Sequence, residues 1–285
     1  MSCSWLLVIK QMVFIQSIAL KFMDRLHKIY SDIKKVKIQG ATNVAKAAIE
    51  AYMLEPSNKN KKKLLSLRPT EPALSNALNL VKKWGKKKVL AHFSDAQKKI
   101  NSAVLKMISN GMRIYTHCHS TNVVKALINA KKKGKKFEVY NTETRPLYQG
   151  RITAKELAAN EIKVTTFVDS AILEAVKKVD LVLLGADAIM KDGIINKIGS
   201  ATIAELAANH GKPLYVVADS WKFSPKNVRI EERDFHEVWA GAPKEIKIRN
   251  PAFEKVDKKY IRGIVSEYGI LTLNEFVKKS EKVFG

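Results

Sequence analysis

Between Met112 and Asp187 lie three short apolar runs, and each ends in polar residues of a chemical rather than a structural kind. Met112 to Thr116 leads into Thr116-His117-Cys118-His119-Ser120. Phe137 to Asn141 leads into a stretch from Thr142 to Arg151 that contains Arg145, Gln149 and Gly150. Leu181 to Leu184 leads into Gly185-Ala186-Asp187. Helix-period segments separate the runs. Strand, helix, strand at this spacing predicts a parallel sheet with crossover helices. Ligands in such sheets bind beyond the carboxyl ends of the strands. Cys118, Arg145, Gln149 and Asp187 are therefore expected to converge on one site.

The rest of the chain divides around this block. A length of 285 residues with 46% hydrophobic content suits one large domain or two modest ones. From Trp5 to Phe22 the chain is mostly apolar, but Lys10, Gln11 and Gln16 interrupt it. It offers no clean membrane span and no usual signal-peptide pattern. Residues 1–22 are expected to be a packing helix, a tail or an overextension, the last being favoured because an ordinary amphipathic pattern starts at Met23. Residues 23–110 read as a helical domain. Leu26, Ile29, Tyr30 and Ile33 share one face, and polar loops break the rhythm at Gly40 and Arg68. Ser75 to Trp84 and Ala91 to Ile108 read as separate helices. Residues 111–285 read as the sheet domain. Further strands are expected at Lys163–Phe167 and Leu214–Ala218, with a late strand near Tyr260–Val265. Helices are expected at Ser170–Lys177 and Ser200–Asn209.

Charge and cysteine content bound the function. The net charge of +24 raises nucleic acid or anionic lipid as partners. The lysines cluster in helix tails and turns without interleaved aromatics, which disfavours base stacking. The field also suits a phosphorylated small substrate. Cys3 and Cys118 are too few for a disulfide framework, which points to a reducing, cytoplasmic setting.

Cys118 sits where a strand turns into a helix, and a helix N-terminus lowers a thiol pKa. It reads as a nucleophile, a general acid/base or an ordinary small core residue. The flanking His117 and His119 point to opposite faces of extended backbone and chelate poorly with it, so no metal is expected. Asp187, at the mouth of an apolar strand, suits proton transfer if desolvated, and reads otherwise as a turn or N-cap residue. Arg68, Arg145, Arg151, Lys197 and Lys222 are cations in or beside strand-end loops. Gly40 and Gly150 permit close backbone approach to a ligand. Nucleotide-binding glycine motifs are absent. A thiol, a carboxylic acid and phosphate-binding cations in one crevice suit aldose–ketose isomerisation of a sugar phosphate.

The blocks Thr116–Ser120, Thr142–Leu157, Gly185–Asp187 and Asn196–Gly199 resemble a known superfamily over roughly Ile38 to Ile270. It contains the alpha, beta and delta subunits of translation initiation factor 2B, methylthioribose-1-phosphate isomerase and archaeal ribose-1,5-bisphosphate isomerase. The resemblance implies an α/β protein with an N-terminal helical domain followed by a Rossmann-like parallel-sheet domain. It also implies a homo-oligomer, a dimer or hexamer, that needs no cofactor. Cys118 stands at the catalytic cysteine, as proton acceptor, and Asp187 at the catalytic aspartate, as proton donor. The regulatory subunits generally lack the cysteine, which favours an enzyme. The short helical domain is most similar to that of ribose-1,5-bisphosphate isomerase, which acts in archaeal nucleotide degradation. Gly40 and Ala41 match a phosphate-holding Arg-Gly-Ala loop, and Arg68 its Arg-Pro-Thr partner. Ser120, Thr121 and Asn122 fall at a helix start, where N–H groups face an anion. Asn196 and Lys197 match an Asn-Lys pair, and Lys222 a Lys-Phe-X-Pro segment. One position departs: the loop arginine is Gln39 here.

Overall fold

The computed structural model describes residues 3–230 and 232–284; the first two residues of the N-terminal stretch lie outside them. The chain opens with four helices, α1 (Cys3–Lys34), α2 (Ala41–Leu54), α3 (Asn58–Leu67) and α4 (Pro72–Met107). Leu26, Ile29, Tyr30 and Ile33 recur at three- and four-residue spacing, which places them on one side of α1. All four are buried, against Val44 and Ala48 of α2 and Leu74 and Leu78 of α4. Earlier in α1, Met12, Val13, Phe14, Leu20, Phe22 and Met23 are exposed, and among the described residues core packing begins at Leu26. The helix itself passes Met23 without a break. Among the described residues no helix is long and apolar enough to cross a membrane.

The two helices expected between Ser75 and Ile108 form the single element α4, bent at Gly85. Gly85 has φ 75° and ψ 156°, a conformation that glycine reaches without a Cβ clash. The bend lets α4 serve two cores. Ala73 and Leu78 before the bend, and Phe93 just after it, join the helical core. The second half of α4 packs Ile100 and Val104 beneath the sheet, against Ile114, Val139 and Leu183.

The strands follow as β1 (Arg113–Thr116), β2 (Glu138–Thr142), β3 (Lys163–Phe167), β4 (Leu181–Leu184), β5 (Ala188–Met190), β6 (Gly193–Lys197), β7 (Leu214–Val217), β8 (Phe253–Asp257), β9 (Gly263–Ser266) and β10 (Gly269–Leu271). Helices α5 (Thr121–Lys132), α6 (Gln149–Ala158), α7 (Ile172–Lys177), α8 (Ser200–Asn209), α9 (His236–Trp239) and α10 (Leu273–Phe284) connect or flank them. The main sheet has the order β10-β9-β7-β4-β1-β2-β3. It is parallel except for the edge strand β10. The expected α/β class is the observed one.

Side chains alternate across the sheet. In β4, Val182 and Leu184 enter one core with α8 and α10, whereas Leu181 and Leu183 enter the other with α4 and α5. From β1 the chain winds outward to β2 and β3, then returns to place β4 on the other side of β1. That reversal opens a crevice at the carboxyl ends of β1 and β4, where Cys118 and Asp187 follow.

A second sheet, β5-β6-β8, was not legible in the sequence. It is antiparallel, with Ile195 opposite Lys255 and Lys197 opposite Phe253. Its strands are short, and β8 lies far from β6 along the chain, so no local pattern announces the pairing.

Candidate active site

Beyond the ends of β1 and β4 lies a cavity of about 790 Å³ of space between atoms, part of it open to solvent. Its floor is the segment after β1. The Cys118 backbone has φ 61°, a left-handed conformation uncommon for a residue with a side chain. Two threonines hold that peptide. The Cys118 N–H donates to Thr144 Oγ1 at 3.1 Å, and Thr153 Oγ1 donates to the Cys118 carbonyl at 2.7 Å. The thiol faces the cavity, and Asp187 reaches the same space from the turn between β4 and β5.

The helix-start argument for a low thiol pKa is overturned. Burial pushes the Cys118 thiol up to about 12, although Lys197 and the His119 backbone N–H partly offset it. Cys118 precedes the first residue of α5 by three positions, and removal from water outweighs the helix end. Lys197 is itself buried, and that burial lowers its pKa.

The histidines flanking Cys118 serve the scaffold. His117 is buried, with Nε2 2.8 Å from the Ile198 carbonyl, so Nε2 carries the proton. Its Nδ1 then accepts from Thr142 Oγ1 at 3.2 Å. Burial lowers its pKa to about 4 and keeps the ring neutral. Because Thr153 donates to Cys118, it must accept from His119 Nδ1, which lies 3.0 Å away.

Anion-binding groups surround this pair. Gly40, at φ 82°, is the N-cap of α2, and Gln39, Gly40 and Ala41 line the cavity beside it. Ser120 caps α5, its Oγ accepting from the Val123 N–H at 3.4 Å. Ser120, Thr121 and Asn122 line the cavity too, with Thr121 Oγ1 3.7 Å from where a Cβ on Gly40 would stand. Two helix N-termini thus face the cavity, a setting that favours anions. The buried cations Arg68, Lys197 and Lys222 enter it, and Lys222 Nζ donates to Asn122 Oδ1 at 3.1 Å. Asn196, buried before Lys197, donates from Nδ2 to Ser200 Oγ at 2.9 Å. The Gln149 Oε1 is a buried acceptor without a hydrogen-bond partner among the described residues.

Arg145 departs from its expected place. The Thr144 and Arg145 N–H groups donate to the Asp169 carboxylate at 2.9 and 2.6 Å, which turns the Arg145 side chain outward. Its guanidinium donates to Tyr148 Oη at 2.9 Å and to the Val238 carbonyl at 3.0 Å, outside the cavity. Conversely, sequence reasoning passed over two cavity residues. Glu71 is buried and forms an ion pair with Arg68 at 2.5 Å. Arg233 arrives on the irregular segment before α9, with Nε donating to Glu237 Oε2 at 2.8 Å. The acid directly after Arg68-Pro69-Thr70 was a usable signal for Glu71. Nothing local marked Arg233.

The Initiation factor 2 subunit family model matches residues 33–273. The chain belongs to this family. Ribose 1,5-bisphosphate isomerase of Methanocaldococcus jannaschii is 36% identical, over 92% of this chain and 96% of that protein. Its namesake in Archaeoglobus fulgidus is 35% identical, over 87% of this chain and 90% of that protein. The solved structure of Pyrococcus horikoshii OT3 translation initiation factor eIF-2B superposes with a TM-score of 0.78 at 26% identity, over 87% of this chain and 97% of that one. Family members thus carry both enzyme and initiation-factor names.

Proposed function

We propose that this chain is a sugar-phosphate isomerase that converts alpha-ribose 1,5-bisphosphate to ribulose 1,5-bisphosphate. The observation that carries the reading is the meeting of Cys118 and Asp187 with Arg68, Lys197 and Lys222 in one cavity. The names of the relatives from Methanocaldococcus jannaschii and Archaeoglobus fulgidus agree with it. A phosphate takes charge from the cations and N–H groups from the α2 and α5 starts. At the α2 start the neutral Gln39 amide stands in for a charged guanidinium, so that subsite leans on backbone N–H groups. Gln149 Oε1 offers an acceptor to a sugar hydroxyl.

The pair shares one exchangeable proton in the productive state. In the reacting form Asp187 is the acid and Cys118 the thiolate, which Lys197 stabilises. Asp187 protonates the ring oxygen as its bond to C1 breaks, and the Cys118 thiolate takes the proton from C2. This leaves an enol phosphate. The C2 hydroxyl proton passes to the Asp187 carboxylate, and Cys118 returns its proton to C1. The ketone forms and both groups regain their starting states.

The reading extends to a cytoplasmic homo-oligomer in nucleotide degradation, as the resemblance implies. The test is conversion of alpha-ribose 1,5-bisphosphate by the purified protein, followed by phosphorus NMR, with methylthioribose 1-phosphate alongside. Appearance of ribulose 1,5-bisphosphate supports the assignment. Turnover of the methylthio sugar alone moves it to that isomerase, and turnover of neither by folded protein moves it to a regulatory role.

A further inference from the structure

Behind Lys222, away from the cavity, three titratable side chains are packed where no substrate reaches. His92 on α4 lies with Nε2 3.8 Å from Asp219 Oδ1 and 3.9 Å from Glu267 Oε1. Its ring stacks on Trp221 at 4.1 Å and 7°. Both carboxylates grip the short turn Ser220–Lys222 that follows β7. Asp219 accepts from the Trp221 N–H at 3.2 Å, and Glu267 accepts from the Ser220 N–H at 3.0 Å. Asn76 of α4 donates to the carbonyls of Trp221 and Phe223 at 2.7 and 3.0 Å. The turn is therefore held at its backbone by α4 and by both acids.

The far end of the lysine is held from the same helix. Lys222 donates to Asn122, and Asn122 Nδ2 donates to Gln97 Oε1 of α4 at 3.0 Å. Burying two acids beside one histidine is costly, and the N–H groups of Trp221 and Ser220 offset part of that cost. Burial and the Asp219 charge push the Glu267 pKa up. The Asp219 pKa is held down: burial works against it, but the neighbouring His92 and the Lys222 charge prevail. The negative charge therefore sits on Asp219, three residues before Lys222. A lysine stem is flexible, and an unguided ammonium loses entropy each time it binds a phosphate.

We infer that His92, Asp219 and Glu267 are positioning residues that fix the Ser220–Lys222 turn and so aim Lys222 across the cavity at a phosphoryl group. This rests on the reading of the cavity as a phosphate site. It makes α4, which lines none of the cavity, a determinant of phosphate affinity.

The test is a double-mutant cycle read by calorimetric titration of the full chain with inorganic phosphate. Asp219→Asn weakens phosphate binding by about tenfold. KM for the sugar phosphate rises in step, while kcat moves less than about threefold. In a Lys222→Ala background the same substitution produces no further loss, because the group it positions is gone. Wild-type phosphate affinity in Asp219→Asn, or a full additional loss in the Lys222→Ala background, overturns the inference. His92→Gln, tested in the same cycle, carries the test if Asp219→Asn does not fold. The titration needs no turnover: phosphate binding without isomerisation sinks the proposed reaction and leaves this inference standing, whereas no phosphate binding by the wild type sinks this one.

Discussion

Gly185 and Ser120 lie so close that a Cβ on Gly185 would sit 2.6 Å from both Cβ and Oγ of Ser120. The end of β4 and the cap of α5 are thereby locked together, and with them Asp187 and Cys118. Gly185→Ala forces Ser120 away from its cap position. The expected outcome is a loss of roughly 1–3 kcal/mol in urea unfolding, together with weaker phosphate binding in the folded fraction. Unchanged stability and affinity would mean that this contact does not set the site.

Cys118→Ser and Asp187→Asn are expected to lower kcat roughly a hundredfold to ten-thousandfold while circular dichroism stays unchanged. Full turnover by either variant would remove the proposed pair.

The Cys118 thiol, with its pKa raised to about 12, is expected to react slowly with alkylating agents near neutral pH. Its iodoacetamide reaction rate should lie far below that of a free cysteine thiol at neutral pH and should keep rising past pH 9, where the free thiol levels off. A rate that levels off near pH 9, like that of free cysteine, would place the thiol in water.

His117 makes stability fall in acid. Its pKa drops from 6.5 to about 4 on folding, so between these values the unfolded chain binds the extra proton. Its contribution is present above pH 6.5 and is lost as pH falls toward 4. The expected loss is about 3 kcal/mol, as an order of magnitude. His117→Asn should flatten the wild-type slope in this range when urea unfolding is repeated across pH; an unaltered slope would assign the acid loss to other groups.

Arg145→Ala is expected to leave kcat and KM within about threefold of wild type, because the guanidinium lies outside the cavity. Lys222→Ala should raise KM by about tenfold or more. A comparable rise in Arg145→Ala would bring that arginine back to the substrate.

The sequence alone determined whatever is local and periodic. The spacing of Leu26, Ile29, Tyr30 and Ile33 specified a buried helix face, and the apolar run Leu181–Leu184 specified a doubly covered strand. Strand-end chemistry was legible too, since a parallel sheet sends every such end to one edge. Tertiary structure decided what depends on partners distant in the chain. Asp169 turned Arg145 outward, through hydrogen bonds across a separation that no local pattern encodes. The pairing of β6 with β8 built a second sheet. Burial reversed the expected shift of Cys118, because desolvation depends on every element that closes over the thiol, whereas the helix start nearby is written in only a few residues.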